Sequence, residues 1–109
     1  MPKLGTVSLA GLSGRSYELD VYPRADQFKS LGAVFVLAKR IPFAEREAEY
    51  TWIHVGETAD MAQRPLAPSL KPCIDEHDAN CLCLLVEQDP ARRLAIAADL
   101  RGGCKPPCE

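Results

Sequence analysis

Six consecutive residues, Ala33-Val34-Phe35-Val36-Leu37-Ala38, place no polar side chain on either side of a strand's pleat. A strand of this kind has to be covered on both faces, so the run is expected at the centre of a sheet. Tyr50-Thr51-Trp52-Ile53-His54-Val55 supplies the next strand, and closeness in the chain makes antiparallel pairing the simplest arrangement. The charged stretch from Lys39 to Glu49, interrupted by Pro42, is expected to project into solvent as a long hairpin connection. Gly56 is expected to end the second strand, with Thr58 or Asp60 capping a short helix that carries Arg64.

Upstream, Thr6-Val7-Ser8-Leu9 and Tyr17 to Tyr22 alternate with the strand period around the turn residues Gly11-Leu12-Ser13-Gly14. They predict a hairpin ending at Pro23, followed by a bridge in which Asp26 to Lys29 could form one helical turn. Downstream, Pro65, Pro68 and Pro72 limit regular structure, and Ile74 to Asp78 suits a single helical turn. Asn80 to Gln88 is apolar on both faces, with Cys81, Cys83 and Leu85 on one and Leu82, Leu84 and Val86 on the other. A third central or near-central strand is expected there. Asp89-Pro90 is a helix start and Gly102-Gly103 a stop. Between them Ala91, Leu94, Ala95 and Ala98, widened by Ile96, Ala97 and Leu100, form the stripe expected to pack on the sheet.

The 109 residues fit one domain around one core. No run approaches the roughly 20 apolar residues of a membrane span, and the first residues lack the apolar core of a signal peptide. A cytoplasmic protein with no membrane partner is therefore expected. The net charge of −2, from 13 basic and 15 acidic side chains, gives no general attraction for nucleic acid, so phosphate binding would need a local patch. Five cysteines in a reducing compartment suggest free thiols or metal ligands before disulfides.

The ordered set of Ala33-Val34-Phe35, His54-Val55-Gly56, Arg64, a third strand and a capped final helix resembles the GIY-YIG nuclease domain. The hairpin, the GAV-type strand and the Cys73-Ile74-x-x-His77 segment also resemble a group of small uncharacterised bacterial proteins. The resemblance implies an α+β fold with a small antiparallel three-stranded central sheet flanked by helices. It covers residues 32–101, with 1–31 an added N-terminal hairpin and bridge and 102–109 a C-terminal tail.

The family cuts phosphodiesters with strand tyrosines, a helix arginine and a metal-binding glutamate, so magnesium or manganese is the implied cofactor of an active member. By resemblance Arg64 takes the arginine's place, and a guanidinium grips phosphate in two places. Phe35 replaces the first tyrosine and offers no hydroxyl, whereas His54 replaces the second and can accept a proton near neutrality. Ala97 stands where the glutamate belongs, and a methyl group holds no metal. Asp99, two residues on, turns roughly 200° away, which leaves Glu57 as a relocated ligand. The implied site is thus His54 and Arg64 for catalysis, with Gly56, Arg64, Lys39 and Arg40 for phosphate.

Each residue has a plainer role beside this one. His54 can be a packed, hydrogen-bonded side chain, Arg64 can pair with Glu57 or Asp60, and Tyr50 and Trp52 can be core or rim aromatics. Cys73-x-x-x-His77 and Cys104-x-x-x-Cys108 offer three sulfurs and one imidazole, a tetrahedral zinc set joining two segments, or small apolar side chains. Cys81 and Cys83 read as core. Three functions follow: a degenerate domain binding a nucleic acid or other phosphate-containing ligand without efficient cleavage, an active metal-dependent phosphodiesterase, and a protein-interaction module stabilised by zinc.

Overall fold

The computed structural model describes residues 3–24, 27–63 and 68–108. Its strands are β1 (Gly5–Ala10), β2 (Ser16–Pro23), β3 (Ala33–Ile41), β4 (Glu49–Thr58) and β5 (Cys81–Val86). A short helix α1 (Lys71–Glu76) precedes β5, and α2 (Pro90–Cys104) follows it. The strands form one sheet in the order β1-β2-β5-β3-β4, every neighbouring pair antiparallel. The sheet curls into a half-barrel.

This corrects the expected three-stranded sheet flanked by helices. The N-terminal hairpin is no appendage, because β2 pairs with β5 from Asp20↔Leu84 to Pro23↔Cys81. The reason lies in β5: a strand apolar on both faces also presents two unsatisfied backbone edges, and β3 can occupy only one of them. β3 is an interior strand, paired on both edges by β5 and β4, but the middle place expected for it belongs to β5.

Alternation divides the apolar side chains into two cores. On the first face Leu9, Leu19, Val21, Val34, Val36, Val55, Cys81 and Cys83 meet Ala97 and Leu100 of α2. On the second face Phe35, Leu37, Ile53 and Leu82 meet Ile74 of α1, together with Met61 and Cys108. A β-bulge joins the two sets: Leu37 pairs with His54 and Ala38 with Trp52, so Ile53 has no partner in β3. Two successive residues of β4, Ile53 and His54, thereby approach the second face. The carbonyl of Ile53 accepts a hydrogen bond from the Cys108 amide at 3.0 Å, which binds the C-terminal tail to the bulge.

α2 turns a different stripe to the sheet from the one its sequence predicts. Arg93, Ala97 and Leu100 are buried, while Leu94 is 60% exposed. The determinant is Arg93, whose Nε donates to Glu57 Oε2 at 3.1 Å and whose Nη1 donates to the carbonyls of Gln88 (2.8 Å) and Glu87 (3.2 Å). A guanidinium supplied with that many acceptors can be buried, and hydrophobic pattern alone gives it no credit. Asp89 caps the helix as expected, its carboxylate accepting from the Arg92 amide.

Gly102 and Gly103 do not stop the helix, which runs to Cys104 and ends on Lys105 in the left-handed region at φ 49°. Both glycines serve close packing: a Cβ on Gly103 would collide with the Ala10 carbonyl oxygen, and one on Gly102 would press on Leu12. Gly56 does not end β4, which continues to Thr58. Residues 59–63 are bend and turn, with the Asp60 amide donating to Thr58 Oγ1 and the Ala62 amide to Asp60 Oδ1. The helix expected to carry Arg64 is absent over those residues, and Arg64 itself lies outside the described residues. Asp26, in the expected bridge turn, also lies outside them.

No helix among the described residues is long and apolar enough to cross a membrane. Gly103→Ala should destabilise the chain by about 1–3 kcal/mol through this overpacking, measured as a lower urea midpoint with an unchanged slope.

Candidate functional site

Three places among the described residues gather polar or charged side chains near the surface. The first lies where the curl leaves its two edge strands facing one another. Leu4, Thr6, Val7 and Ser8 from β1 and the residue before it, with Arg40, Glu47, Tyr50 and Trp52 from the β3–β4 hairpin, line a groove of about 570 Å³. Tyr50 and Trp52 are two apart on β4, so they share a face, and their rings stack at 5.3 Å with 7° between planes. Arg40 is the register partner of Tyr50, and its Nε donates to the Tyr50 hydroxyl at 3.3 Å. Among the described residues no carboxylate lies within ion-pair distance of Arg40. A half-buried guanidinium beside an aromatic shelf can hold an anion joined to a planar ring.

The second place is on the other face. Cys73 on α1 and Cys108 in the tail are joined by a disulfide, with Cα atoms 5.9 Å apart and a sequence separation of 35. This overturns the expectation of free thiols at these positions; the remaining cysteines, Cys81, Cys83 and Cys104, are free. Cross-linking a loop of that length stabilises by about 4 kcal/mol in the chain-entropy account. His77 Nδ1 lies 3.8 Å from each of the two sulfurs and donates to the Cys73 carbonyl at 2.9 Å. Cys104, the remaining member of the expected zinc set, packs against the first core, where burial raises its thiol pKa. It is on the wrong side of the sheet to join Cys73, His77 and Cys108.

His54 belongs to this second region. It is 7% exposed, and its Nδ1 donates to the Cys108 carbonyl at 2.8 Å. Because a carbonyl only accepts, the proton sits on Nδ1, and the ring serves to hold the tail. Its neighbour Phe35 lies 6.1 Å away between ring centroids. Ala97 is buried in the first core, so the place of the family's glutamate and the place of its second tyrosine are on opposite faces. Glu57 is taken by Arg93 in a largely buried ion pair.

The expected phosphate set is likewise dispersed. Gly56 is overlain by the Phe35 ring and lies six residues along β4 from Tyr50, roughly 20 Å at strand rise. Lys39 pairs with Asp78 at 3.4 Å, and Arg64 is outside the described residues. Among the described members of that set, Arg40 is the one that lines the groove. Its association with Tyr50 and Trp52 was available in principle from the hairpin register, which a bulge shifts by one residue between Leu37 and Ala38.

The third place is the carboxylate of Asp99, which accepts from the Ser13 amide (2.8 Å), the Ser13 hydroxyl (2.7 Å) and the Tyr17 hydroxyl (2.8 Å). It fastens the β1–β2 turn to α2. Those bonds from Ser13, and then the one from Tyr17, hold the Asp99 carboxyl below its usual range. Burial, with the bond to Asp99 second, raises the Tyr17 phenol.

On the first face, Cys81 and Cys83 are fully buried two residues apart. The neighbouring Cys83 thiol favours ionisation of Cys81, against its own burial, while the Cys81 thiol and then burial disfavour ionisation of Cys83.

No family model, no curated protein and no solved structure matches this chain.

A carboxyl held low in the folded state contributes stability above the unfolded aspartate range, near pH 3.9. That contribution is lost as the pH falls through the folded value. Asp99→Asn should therefore be less stable than the parent at neutral pH, with the gap narrowing as the pH falls below the unfolded aspartate value of about 3.9. Urea midpoints measured across the acid range test this.

Proposed function

We propose that the chain is a binding module, without efficient cleavage, for a phosphate-containing ligand that also carries a planar ring: a nucleotide, free or as the end of a nucleic acid strand. The observation that carries this reading is the Arg40 guanidinium, free of acidic partners among the described residues, beside the parallel Tyr50 and Trp52 rings in the half-barrel mouth. Mouths of curled sheets are common small-ligand sites, and a volume of this order accommodates a nucleotide-sized group. Base stacking on an aromatic face contributes roughly 1–3 kcal/mol. A hydrogen bond between phosphate and guanidinium contributes about 1.5–3 kcal/mol.

The module binds a single unit in preference to a long strand. Arg40 shares the groove with Glu47, and a chain of net charge −2 has little to release from a polyelectrolyte's counterion atmosphere. Turnover has less support, since His54 is buried against the tail and Glu57 is engaged by Arg93. The cytoplasmic placement expected from the sequence remains part of the proposal.

Trp52 is the chain's single tryptophan, so its fluorescence reports on the groove directly. Titration with nucleoside monophosphates and with short single strands should quench or shift that emission. Arg40→Ala and Tyr50→Ala should each weaken binding about tenfold or more, as the loss of 1.4 kcal/mol or more implies. Equal affinity in Arg40→Ala and the parent would dismiss the reading. Affinity rising with strand length, with a steep salt dependence, would favour nucleic acid over a lone nucleotide.

A further inference from the structure

We propose that Cys73, His77 and Cys108 form a redox-gated zinc site: a disulfide when oxidised, a three-ligand metal centre when reduced. The three residues reach one point from separate parts of the chain, two from α1 and its C-terminal cap and one from the tail. One ligand atom from each lies within 4.8 Å of the others. With Zn–S near 2.3 Å and Zn–N near 2.0 Å, a tetrahedral centre has edges of roughly 3.5–3.8 Å. His77 Nδ1 stands 3.8 Å from both sulfurs, so only the two sulfurs need to separate.

The elements behind the ligands are already fixed. Cys73 and His77 are spaced i, i+4 and so lie on one side of the helical turn. Cys108 is 1% exposed and is held through both of its backbone groups, its amide to the Ile53 carbonyl and its carbonyl to His54 Nδ1. Exposure grades from Cys108, buried, through Cys73, half-buried, to His77, exposed. A metal and a reductant can therefore enter from the His77 side.

The chemistry balances as follows. A dithiol reductant gives two electrons and two protons to the Cys73–Cys108 bond and becomes a disulfide itself, leaving two thiols on the protein. Zinc then binds both sulfurs, displacing their two protons, and takes the His77 nitrogen as a neutral ligand. His77 Nδ1 gives up its bond to the Cys73 carbonyl and moves its proton to Nε2, on a side chain that is exposed. Two thiolates neutralise the divalent ion, which suits a half-buried position. Three protein ligands leave the fourth position to water.

Both states tie the tail to α1, so the second core stays covered in either. The site is independent of the groove at the β1 and β4 edges, which lies on the first face, and its failure would leave the ligand-binding reading untouched.

The test uses the full chain, with cobalt as a spectroscopic stand-in for zinc. Protein reduced by a phosphine and desalted should bind one equivalent of cobalt, with thiolate-to-metal charge-transfer absorption, and zinc should displace it. The oxidised protein should bind none. Cys73→Ser and His77→Ala should lose affinity by more than the roughly 10–100-fold typical of an outer-shell partner, while Cys104→Ser should behave as the parent. Because His77 is exposed, His77→Ala is expected to keep its circular dichroism even where a cysteine variant unfolds. Absence of the charge-transfer band in reduced parent protein, or a band unchanged in His77→Ala and Cys73→Ser, overturns the proposal. Loss of the band in Cys104→Ser does so equally.

Discussion

The structure depends on covering two strands that are apolar on both sides. β3 and β5 carry Val34, Val36, Cys81 and Cys83 toward one face and Phe35, Leu37 and Leu82 toward the other, all of them buried. At about 25 cal/mol per Å² of apolar surface, neither face can be left to water in a chain of this size. One cover is ample, since α2 supplies 15 residues. The other is assembled from a 6-residue helix, the Met61 turn and the tail. Such short pieces have little helical stability of their own. That weakness accounts for the concentration of restraints there: the Cys73–Cys108 link, the His54 bond and the amide of Cys108 on the bulge.

The bulge at Ile53 is the hinge of this arrangement. By adding one residue to β4 it brings both Ile53 and His54 toward the second core and leaves the Ile53 carbonyl available to the tail. The same displacement returns Trp52 and Tyr50 to the first face, where they stack beside Arg40. One irregularity in one strand thus determines both the latch for the tail and the floor of the groove.

Charged side chains act here as fasteners more than as reagents. Arg93 joins α2 to β4 through Glu57, and Asp99 joins α2 to the β1–β2 turn through Ser13 and Tyr17. These two attachments orient the helix, and they explain why Leu94 faces solvent although it heads the apolar stripe. Arg40 differs because its neighbours are aromatic. The three-stranded reading failed at a comparable point, where pairing of backbone edges recruited the N-terminal hairpin into the sheet.

The approximate strand positions, the covering of β3 on both faces, the Asp89 cap and the apolar character of Cys81 and Cys83 were all legible in the chain, because each follows from local periodicity or local hydrogen bonding. The disulfide between Cys73 and Cys108 was not, since the sequence suggested free thiols or metal ligands there, and the face on which α2 delivers Cys104 was not legible either. The joining of five strands into one sheet, the face of α2, the passage of the helix through Gly102-Gly103 and the meeting of Arg40 with Tyr50 and Trp52 were decided by the tertiary structure. Each of these turns on a partner far away in sequence, and a pattern of residue types records what a segment must bury or bond without recording which distant segment will supply it.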